Sequence, residues 1–336
     1  MIQEAIAKLV ENRHLTADEA ERVMDEIMTG EATPAQIGGY LVALRMAGET
    51  PEEIAGSVRS MRAKATRIPT RHPLIIDVVG TGGDGAHTFN ISTAAAFVVA
   101  GAGLPVAKHG NRSVSSKCGA ADVLKALGVN IEAPPERVSA CLDEVGFGFL
   151  FAPLLHGAMK HAIGPRRELA MRSIFNIMGP LTNPAGAQCQ LVGVYASHLT
   201  ELAAKVLGQV GCRRAIVVHG HDGLDEITLS GPTKVSEWDG KAVKNYEIRP
   251  EEAGLKSAPA REVAGGDPAE NAQILRGVLS GERGPRRDVV LMNAAAALLA
   301  GGKAKNLKEG VRMAAEAIDS GAARWTLDRL IEVSNA

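Results

Sequence analysis

Short apolar runs alternate with helical segments from residue 74 to about residue 218. This alternation is typical of β–α–β units, in which parallel strands form a sheet and the connecting helices cover its faces. The predicted strands are 75–79, 104–108, 128–131, 147–151, 190–195 and 214–218. The predicted helices between them include 93–102, 120–127, 135–145 and 198–210. The sequence therefore predicts an α/β fold whose larger domain has a mainly parallel central sheet flanked by helices.

The first 70 residues carry helix signals and no strand pattern. Three threonines are each followed three residues later by Glu or Gln, which is the spacing of a capping box at a helix start. These pairs are Thr16 with Glu19, Thr33 with Gln36, and Thr50 with Glu53. With the amphipathic run 2–10, they predict a small N-terminal helical domain over residues 1–72. We expect helices from about 156–180 to join this domain and residues 73–336 to form the α/β domain.

The C-terminal third carries two further structural signals. Residues 234–243 surround Asp239 and Gly240, and an Asp-Gly pair between two strand-like runs predicts a hairpin with a type I′ turn. From Pro268 onwards the chain is rich in alanine and is predicted to be mostly helical.

Composition restricts the classes of partner. The net charge is −1, from 37 basic and 38 acidic side chains, so the chain has no global attraction for nucleic acid or an anionic membrane. Cysteines 118, 141, 189 and 212 contain no C-x-x-C pair, and a reducing compartment is the default for such a chain. The N-terminus does not resemble a secretory signal, and no stretch approaches about 18 uninterrupted apolar residues. We therefore expect a cytoplasmic protein that binds small molecules or protein chains, and neither nucleic acid nor membrane.

A glycine cluster, Gly-Thr-Gly-Gly-Asp-Gly at 80–85, follows the first predicted strand. Glycines at the end of a strand let backbone N–H groups approach an anion, which indicates a phosphate site. Gly80, Gly82 and Gly85 also fit the G-x-G-x-x-G spacing of a dinucleotide-binding loop, which needs an acidic residue after the second strand. The second predicted strand ends instead in Lys108, followed by His-Gly-Asn-Arg. The positive charge of Lys108 favours a phosphate site over a dinucleotide-binding loop.

The next helix is predicted to start at Asn90, where Asn90, Ser92 and Thr93 can cap its free N–H groups. A helix N-terminus is a second anion site, and Lys108 and Arg112 can approach it from the next strand. Asp84 within the glycine loop would repel a pyrophosphate unless a metal ion or a cationic side chain intervenes. Several phosphate contacts, with a metal ion, are thus expected to act together.

Five motifs together resemble the anthranilate phosphoribosyltransferase family of tryptophan biosynthesis. They are Gly80-Thr81-Gly82-Gly83-Asp84, Asn90-Ile91-Ser92-Thr93, Lys108-His109-Gly110-Asn111-Arg112-Ser113-Val114-Ser115-Ser116, Ala121-Asp122-Val123-Leu124 and Phe175-Asn176-Ile177-Met178-Gly179-Pro180-Leu181-Thr182-Asn183-Pro184. His219-Gly220 followed by Asp225-Glu226 completes the resemblance, which spans nearly the whole chain.

The resemblance implies that phosphoribosyl diphosphate (PRPP) and anthranilate react to give N-(5-phosphoribosyl)anthranilate and pyrophosphate. It also implies Mg²⁺, with two ions per subunit, and a homodimer joined through the N-terminal helices. The residues that it assigns to PRPP are Gly80, Gly83, Asp84, Thr88, Asn90, Ile91, Ser92, Thr93, Lys108, His109, Gly110, Asn111, Arg112, Ser113, Val114, Ser115, Ser116 and Ala120. Those that it assigns to the metal are Ser92, Asp225 and Glu226, and those assigned to anthranilate are Gly80, Asn111 and Arg166.

The residue chemistry is compatible with these assignments but does not require them. An Asp-Glu pair alone is more often a solvated turn, although the carboxyl end of a strand just before Asp225 is a usual ligand site. The guanidinium of Arg166 suits a carboxylate, whereas paired arginines on a helix are commonly exposed. His109 and His156 line the same region as positioning or packing residues, and no general base is assigned.

Two positions depart from the family pattern, and two other functions remain open. Gly157 stands where proline is usual, and Ala120 where a PRPP-contacting serine is usual, so one hydrogen bond is expected to be absent. The first alternative is a pyrimidine nucleoside phosphorylase-like enzyme, which is typically longer and differs in the segment after the second strand. The second is a non-catalytic relative that binds nucleic acid, which should lose the magnesium positions and gain basic surface.

Overall fold

The structure is a computed structural model that describes residues 1–113 and 117–336. Its first four helices are α1 (Ile2–Val10), α2 (Ala17–Thr29), α3 (Pro34–Ala47) and α4 (Pro51–Lys64). The capping boxes of Thr16, Thr33 and Thr50 are all formed, each with the threonine hydroxyl accepting from the backbone N–H three residues on. The prediction of a helical N-terminal unit is confirmed.

A seven-stranded sheet forms the centre of the rest of the chain. Its strands are β1 (Ile76–Gly80), β2 (Val106–Gly110), β3 (Phe147–Phe151), β4 (Cys189–Gly193), β5 (Arg214–Gly220), β6 (Thr233–Trp238) and β7 (Val243–Ile248). The order across the sheet is β3-β2-β1-β4-β5-β6-β7. Strands β1 to β5 pair in parallel, and β6 pairs antiparallel with both β5 and β7. The prediction of a mainly parallel sheet is confirmed.

The remaining helices of the described residues cover the sheet or pack against the first four helices. They are α5 (Ile91–Gly101), α6 (Ala120–Leu127), α7 (Pro135–Val145), α8 (Ala152–Leu155), α9 (Lys160–Leu169), α10 (Phe175–Leu181), α11 (Leu199–Gln209), α12 (Pro268–Leu279), α13 (Pro285–Ala300), α14 (Leu307–Asp319) and α15 (Ala322–Asn335). Helix α9 packs against α2 and α3, and α10 packs against α4. Among the described residues, no helix is both long and apolar enough to cross a membrane.

The predicted strand 128–131 is wrong. Gly128 ends helix α6 in the left-handed region, with φ of 99°, and the Val129 N–H donates back to the carbonyl of Leu124. Val129 and Ile131 are nevertheless buried in the core. The apolar residues that suggested a strand therefore belong to a loop that packs against the core without pairing with the sheet.

The predicted hairpin is present as β6 and β7, but its turn type is wrong. Trp238 pairs with Val243, so the loop has four residues, and Gly240 alone among them has a positive φ, of 95°. A type I′ turn needs positive φ at both central residues. Asp239 instead accepts hydrogen bonds from the Lys241 and Ala242 N–H groups, which stabilises the loop without a second left-handed residue.

Alternation along the central strands gives the sheet two apolar faces. On β1, Val78 belongs to the core formed with α5, α13 and α15, whereas Val79 belongs to the core shared with the N-terminal helices and α11. Four strands end in glycine, namely β1, β2, β4 and β5. Because parallel strands end at the same edge, Gly80, Gly110, Gly193 and Gly220 leave space there for backbone groups and ligands.

Candidate active site

The glycine loop after β1 packs against the loop that carries Asp225. The Gly82 N–H donates to Asp225 Oδ2 at 2.7 Å. A Cβ atom on Gly80 would lie 2.5 Å from that same oxygen, and one on Gly193 would lie 1.5 Å from the Asp225 carbonyl oxygen. Glycine is therefore required at both strand ends, because any side chain would separate the two loops.

Helix α5 starts where predicted, with Asn90 as its N-cap, but the predicted capping by its own side chains is wrong. The Ser92 N–H donates to Glu226 Oε1 at 3.0 Å. The Asn90 amide instead donates to the Cys118 carbonyl and accepts from Asn271. Tertiary contacts thus replace local caps, and the carboxylate of Glu226 complements the positive end of the helix dipole.

A buried cluster of charges lies behind the glycine loop. Lys108 is 1% exposed, and its ammonium donates to the Val78 carbonyl at 2.5 Å and to Ser92 Oγ at 3.3 Å. Burial lowers the pKa of Lys108, an effect opposed by the charges of Asp77, Glu226 and Asp225. Three carboxyl groups therefore surround one ammonium, and the cluster has a deficit of positive charge.

The same deficit of positive charge affects Asp225 and Glu226, whose exposed fractions are 8% and 9%. Burial and the neighbouring charges of Glu226 and Asp84 raise the pKa of Asp225 well above its ordinary value. Burial raises the pKa of Glu226 to about 7, although Lys108 and Ser92 oppose this. A divalent cation beside the two carboxylates would offset their repulsion.

The donor set fits Mg²⁺ in particular. Carboxylate and hydroxyl oxygens from Asp225, Glu226 and Ser92 are hard ligands, and Mg²⁺ is usually held by one or two carboxylates together with substrate phosphates and water. Among the described residues, no group of three His, Cys, Asp or Glu side chains is arranged to hold a metal ion by protein ligands alone. The arrangement favours an ion that binds together with a phosphorylated ligand.

Asp84 lies on the glycine loop, and Arg172 contacts that loop from a distant segment. Asp84 Oδ2 accepts a hydrogen bond from the Asp225 N–H at 3.4 Å, so the acidic residue of the loop faces the carboxylate pair. Arg172, between α9 and α10, donates to the Gly83 carbonyl at 2.7 Å, and its guanidinium carbon lies 3.9 Å from the centroid of the Tyr195 ring. The sequence indicated that a metal ion or a cationic side chain would have to offset Asp84, and it did not identify Arg172.

Two histidines form a buried pair on the other side of Lys108. His109 and His156 are 4% and 7% exposed, and their Nε2 atoms lie 3.2 Å apart. His109 Nδ1 lies 3.0 Å from the Gly179 carbonyl oxygen. Burial lowers the pKa of His109 to about 3, with a further contribution from His156, and burial lowers the pKa of His156 to about 4. Both rings are therefore neutral near pH 7.

Arg166 lies on α9, with its guanidinium carbon 4.8 Å from the centroid of the Phe175 ring. Burial lowers the pKa of Arg166, although the residue stays partly accessible. No carboxylate of the described chain lies within 4.0 Å of it. The guanidinium is thus a cation held against an aromatic ring and able to accept an anionic ligand.

Among the described residues that follow β2, Asn111 and Arg112 are exposed. Asn111 Oδ1 accepts from the Arg112 N–H at 2.7 Å, and Arg112 lies near Asp122 and Glu132, at 3.8 and 3.4 Å. The Ser113 N–H donates to Asp122 at 3.1 Å. The predicted contacts at Val114, Ser115 and Ser116 lie outside the described residues.

The other predicted contacts border these groups. Thr88 is partly exposed and pairs with Ala264 in an isolated bridge, and the buried Thr93 hydroxyl has no partner among the described residues. A Cβ atom on Gly110 would lie 2.8 Å from the Phe149 ring. Ile91 is buried, and Ala120 begins α6.

A cavity of about 330 Å³ adjoins Thr88. Its walls are His87, Thr88, Lys117, Cys118, Gly265, Gly266 and Asn271. The sequence pattern missed the contribution of the C-terminal part of the chain, since Asn271 lies 181 residues from Asn90 and carries no local signal. Arg172 and Gly193 were missed for the same reason, because their partners come from distant segments.

Two family models match the chain. Residues 3–65 match the helical bundle domain of a glycosyl transferase family, and residues 72–324 match its a/b domain. The fold and the site thus define a glycosyl transferase with a helical bundle and an α/β domain.

Individual relatives narrow this class. The chain is 58% identical to an anthranilate phosphoribosyltransferase of Moorella thermoacetica, over 98% of each chain. It superposes on the crystal structure of that enzyme from Thermus thermophilus with a TM-score of 0.94, at 46% identity and 99% coverage of both chains. The enzyme from Saccharomyces cerevisiae, in complex with PRPP and Mg, matches with a TM-score of 0.90 at 30% identity, covering 99% of this chain and 98% of that one. The chain belongs to the anthranilate phosphoribosyltransferase family, and the resemblance stated from its motifs is confirmed.

Proposed function

We propose that this chain transfers the 5-phosphoribosyl group of PRPP to the amino group of anthranilate at the edge of the sheet where Gly80, Lys108 and Asp225 meet. The observation that carries the proposal is the deficit of positive charge around buried Lys108, directly beside a glycine loop and a helix N-terminus. Such a site suits a phosphorylated substrate that arrives with a divalent cation. Family membership supports the same activity.

PRPP is proposed to bind between the glycine loop, the start of α5 and the segment after β2. The cavity beside Thr88 supports this assignment, since it is of a size for part of a phosphorylated sugar and carries Lys117. The Thr93 hydroxyl supports it as well, because a buried hydroxyl that has no partner among the described residues is costly unless a ligand supplies one. The absence of a hydroxyl at Ala120 removes one such contact.

Ser92, Asp225 and Glu226 are proposed to hold magnesium, with two ions per subunit. Mg²⁺ would neutralise charge that develops on the departing pyrophosphate. The chain's own part is to place two carboxylates and one hydroxyl at the carboxyl ends of β1 and β5. The relative from Saccharomyces cerevisiae was solved in complex with PRPP and Mg, which supports the use of this ion.

Anthranilate is proposed to bind near Gly80, Asn111 and Arg166, with its carboxylate on the guanidinium of Arg166. A guanidinium binds a carboxylate through two parallel hydrogen bonds, which orients the aromatic ring and its amine. The neutral pair of His109 and His156 lines this region without adding charge. A related enzyme was solved in complex with 4-fluoroanthranilate, which supports an aromatic acid as acceptor.

The chemistry needs positioning and electrostatic stabilisation rather than a nucleophilic side chain. Displacement at the anomeric carbon passes through an oxocarbenium-like state, by analogy with other glycosyl transfers. Lys108 and the backbone N–H groups of the glycine loop would stabilise the leaving pyrophosphate. Arg166 would hold the amine in line with the breaking bond, and such alignment supplies a large share of the rate. The aromatic amine is a weak base that loses its proton readily after the C–N bond forms.

The assembly and location are also proposals. Val10 and Met46, on the contacting helices α1 and α3, are 70% and 82% exposed. Two exposed apolar side chains on the N-terminal helices support a homodimer joined there. We propose that residues 1–72, with helices from about 156–180, act as one domain against residues 73–336, and that the protein works in the cytoplasm.

The test is the fluorescence of anthranilate, which should fall when enzyme, Mg²⁺ and PRPP are all present. Omission of any one component should leave the fluorescence unchanged. Turnover of a pyrimidine nucleoside with phosphate would support the phosphorylase alternative instead. An electrophoretic shift with DNA at physiological salt, without PRPP turnover, would support the nucleic-acid-binding alternative.

A further inference from the structure

A buried pair, Asp77 on β1 and Asn183 just after α10, lies beside the proposed binding sites, and Asp77 also contributes to the charge around Lys108. Asn183 Nδ2 donates to Asp77 Oδ2 at 2.7 Å and to the Ala107 carbonyl oxygen at 2.8 Å. Asp77 is 0% exposed and Asn183 is 2% exposed. Both N–H groups of the Asn183 amide therefore donate hydrogen bonds to neighbouring strands, one to β1 and one to β2.

The other oxygen of Asp77 contacts the histidine pair through the backbone. Asp77 Oδ1 accepts a hydrogen bond from the His109 N–H at 3.1 Å. Burying a carboxylate is costly unless its oxygens are hydrogen-bonded, and here both oxygens have partners. The carboxylate is thus fixed in orientation, with one oxygen on His109 and the other on Asn183.

Asn183 belongs to the segment that also holds the side chain of His109. The Gly179 carbonyl lies 3.0 Å from His109 Nδ1 and accepts a hydrogen bond from Thr182 Oγ1 at 3.0 Å. Asn183 Oδ1 accepts from the Ala185 N–H, which closes the turn after α10. Because Asn183 ties this turn to β1 and β2, it sets the distance between the Gly179 carbonyl and the histidine ring.

These contacts determine which ring nitrogens carry protons. A carbonyl can only accept, so His109 Nδ1 must donate to Gly179 and His109 Nε2 then carries a lone pair. His156 Nε2 must donate to that lone pair across 3.2 Å, because both rings are neutral. His156 Nδ1 is left as the acceptor of the pair.

We infer that Asp77 and Asn183 are positioning residues for the anthranilate half of the site, because together they fix the orientation and tautomer of His109 and, through it, of His156. The inference rests on the proposed function, since it needs anthranilate to bind against this pair. It concerns residues on β1 and after α10 that do not touch substrate, and it assigns a role to the turn that follows α10.

Three variants test the inference by exchanging donor and acceptor. Asn183→Asp places a second carboxylate against Asp77 and removes the donor to Ala107. Asp77→Asn places an amide group against the amide of Asn183 or against the His109 N–H. The double variant, Asp77→Asn with Asn183→Asp, restores a donor on one side and an acceptor on the other without changing the net charge of the native pair.

Each single variant should raise the KM for anthranilate about tenfold or more, because a lost charged hydrogen bond displaces the turn. The double variant should recover part of that loss, because it restores the contact between positions 77 and 183 but still lacks the donor to the Ala107 carbonyl. Asn183→Asp, which retains Asp77, should leave the KM for PRPP within about threefold of the native value. Ser236→Ala serves as a control, because Ser236 lies on the distant strand β6. The substitution removes a buried hydroxyl that bonds Thr200 and Asn245.

Unchanged KM for anthranilate in a folded single variant would overturn the inference, as would equal increases for both substrates. A KM for anthranilate in the double variant that is no lower than that of Asn183→Asp would also overturn it. Where Asn183→Asp does not fold, Asn183→Ser takes its place, since it keeps one hydroxyl donor in a smaller side chain. Absence of turnover by the native enzyme would instead contradict the proposed function, so the two failures are distinguishable.

Discussion

The Ser92 N–H donates to Glu226 Oε1 at 3.0 Å, across a sequence separation of 134 residues. This bond joins the start of α5 to the loop after β5, and it places a carboxylate where a capping side chain would otherwise lie. Asp225, the next residue towards the N-terminus, accepts from the Gly82 N–H in the same way. The two acidic residues therefore join the glycine loop and the start of α5 to the loop after β5 before any ligand binds. Substitution can separate this structural role from the proposed binding of Mg²⁺.

Replacing Asp225 by Asn together with Glu226 by Gln should remove the negative charges and keep both hydrogen bonds, since an amide oxygen still accepts. We expect turnover at limiting Mg²⁺ to fall at least about 10–100-fold, because the metal loses its charged ligands. The measurement is the initial rate of anthranilate consumption as a function of Mg²⁺ concentration.

The same double variant should be at least as stable as the native protein when no metal is present. Burial raises the pKa of both groups, so their ionised forms oppose folding. A thermal unfolding midpoint below that of the native protein in EDTA would show that the charges stabilise the fold. Unchanged Mg²⁺ dependence of the rate would remove both residues from the metal site.

Arg166→Ala should raise the KM for anthranilate about 10–100-fold, the loss expected for a charged, bidentate hydrogen bond. The KM for PRPP should change far less. Arg167→Ala is the matched control, because Arg167 follows on the same helix and is exposed. Steady-state kinetics with each substrate varied in turn makes the comparison, and equal increases for both substrates would contradict the carboxylate role of Arg166.

The outcome for the fold shows where sequence patterns carry information. Capping boxes, the strand–helix alternation and the glycine loop are local patterns, and each was found where predicted. The segment 128–131 was misassigned because burial alone does not distinguish a loop packed against the core from a strand. After Gly128 the Val129 N–H donates back to the Leu124 carbonyl of α6, so the segment forms a loop at the end of this helix.

The site was predictable where its residues follow strands, and less so where a distant segment completes it. Lys108 lies on β2, two residues before the end of that strand, and Asp225 follows β5, so their meeting at one edge of the sheet could be expected. The predicted caps at Asn90 failed because Asn271 and Cys118 bind its side chain. Arg172 lies between α9 and α10, and its contact with the glycine loop depends on how these two helices pack.

Arg172→Ala should weaken PRPP binding, because Arg172 holds the Gly83 carbonyl while stacking on Tyr195. The expected increase in the KM for PRPP is about 5–30-fold, from one charged hydrogen bond and one cation–π contact. Arg172→Lys keeps the charge but loses the planar stacking, and should recover only part of the affinity. Full recovery by lysine would mean that charge alone matters at this position.

Val10→Asp with Met46→Asp should dissociate the proposed homodimer, because it places two charges on exposed apolar positions of α1 and α3. Sedimentation velocity at micromolar concentration should show a dimer for the native chain and a monomer for the variant. Trp325→Asp is the control, since Trp325 is 54% exposed on α15 and lies outside the proposed interface. A native monomer, or a dimer in the variant, would contradict this interface.

His156→Gln should reduce the loss of stability that follows acidification from pH 7 to pH 5. Burial lowers the pKa of His156 to about 4, below its ordinary value of 6.5, so folding is favoured while the ring is neutral. That contribution is present above pH 6.5 and is lost as the pH falls towards 4, by about 1–2 kcal/mol at pH 5. The raised pKa values of Asp77 and Glu226 act in the opposite direction in both proteins, so their contributions cancel in the comparison. The difference between variant and native then reports His156 together with its effect on the pKa of His109. Denaturant unfolding at each pH measures it, and parallel pH profiles for the two proteins would mean that His156 is not kept neutral by the fold.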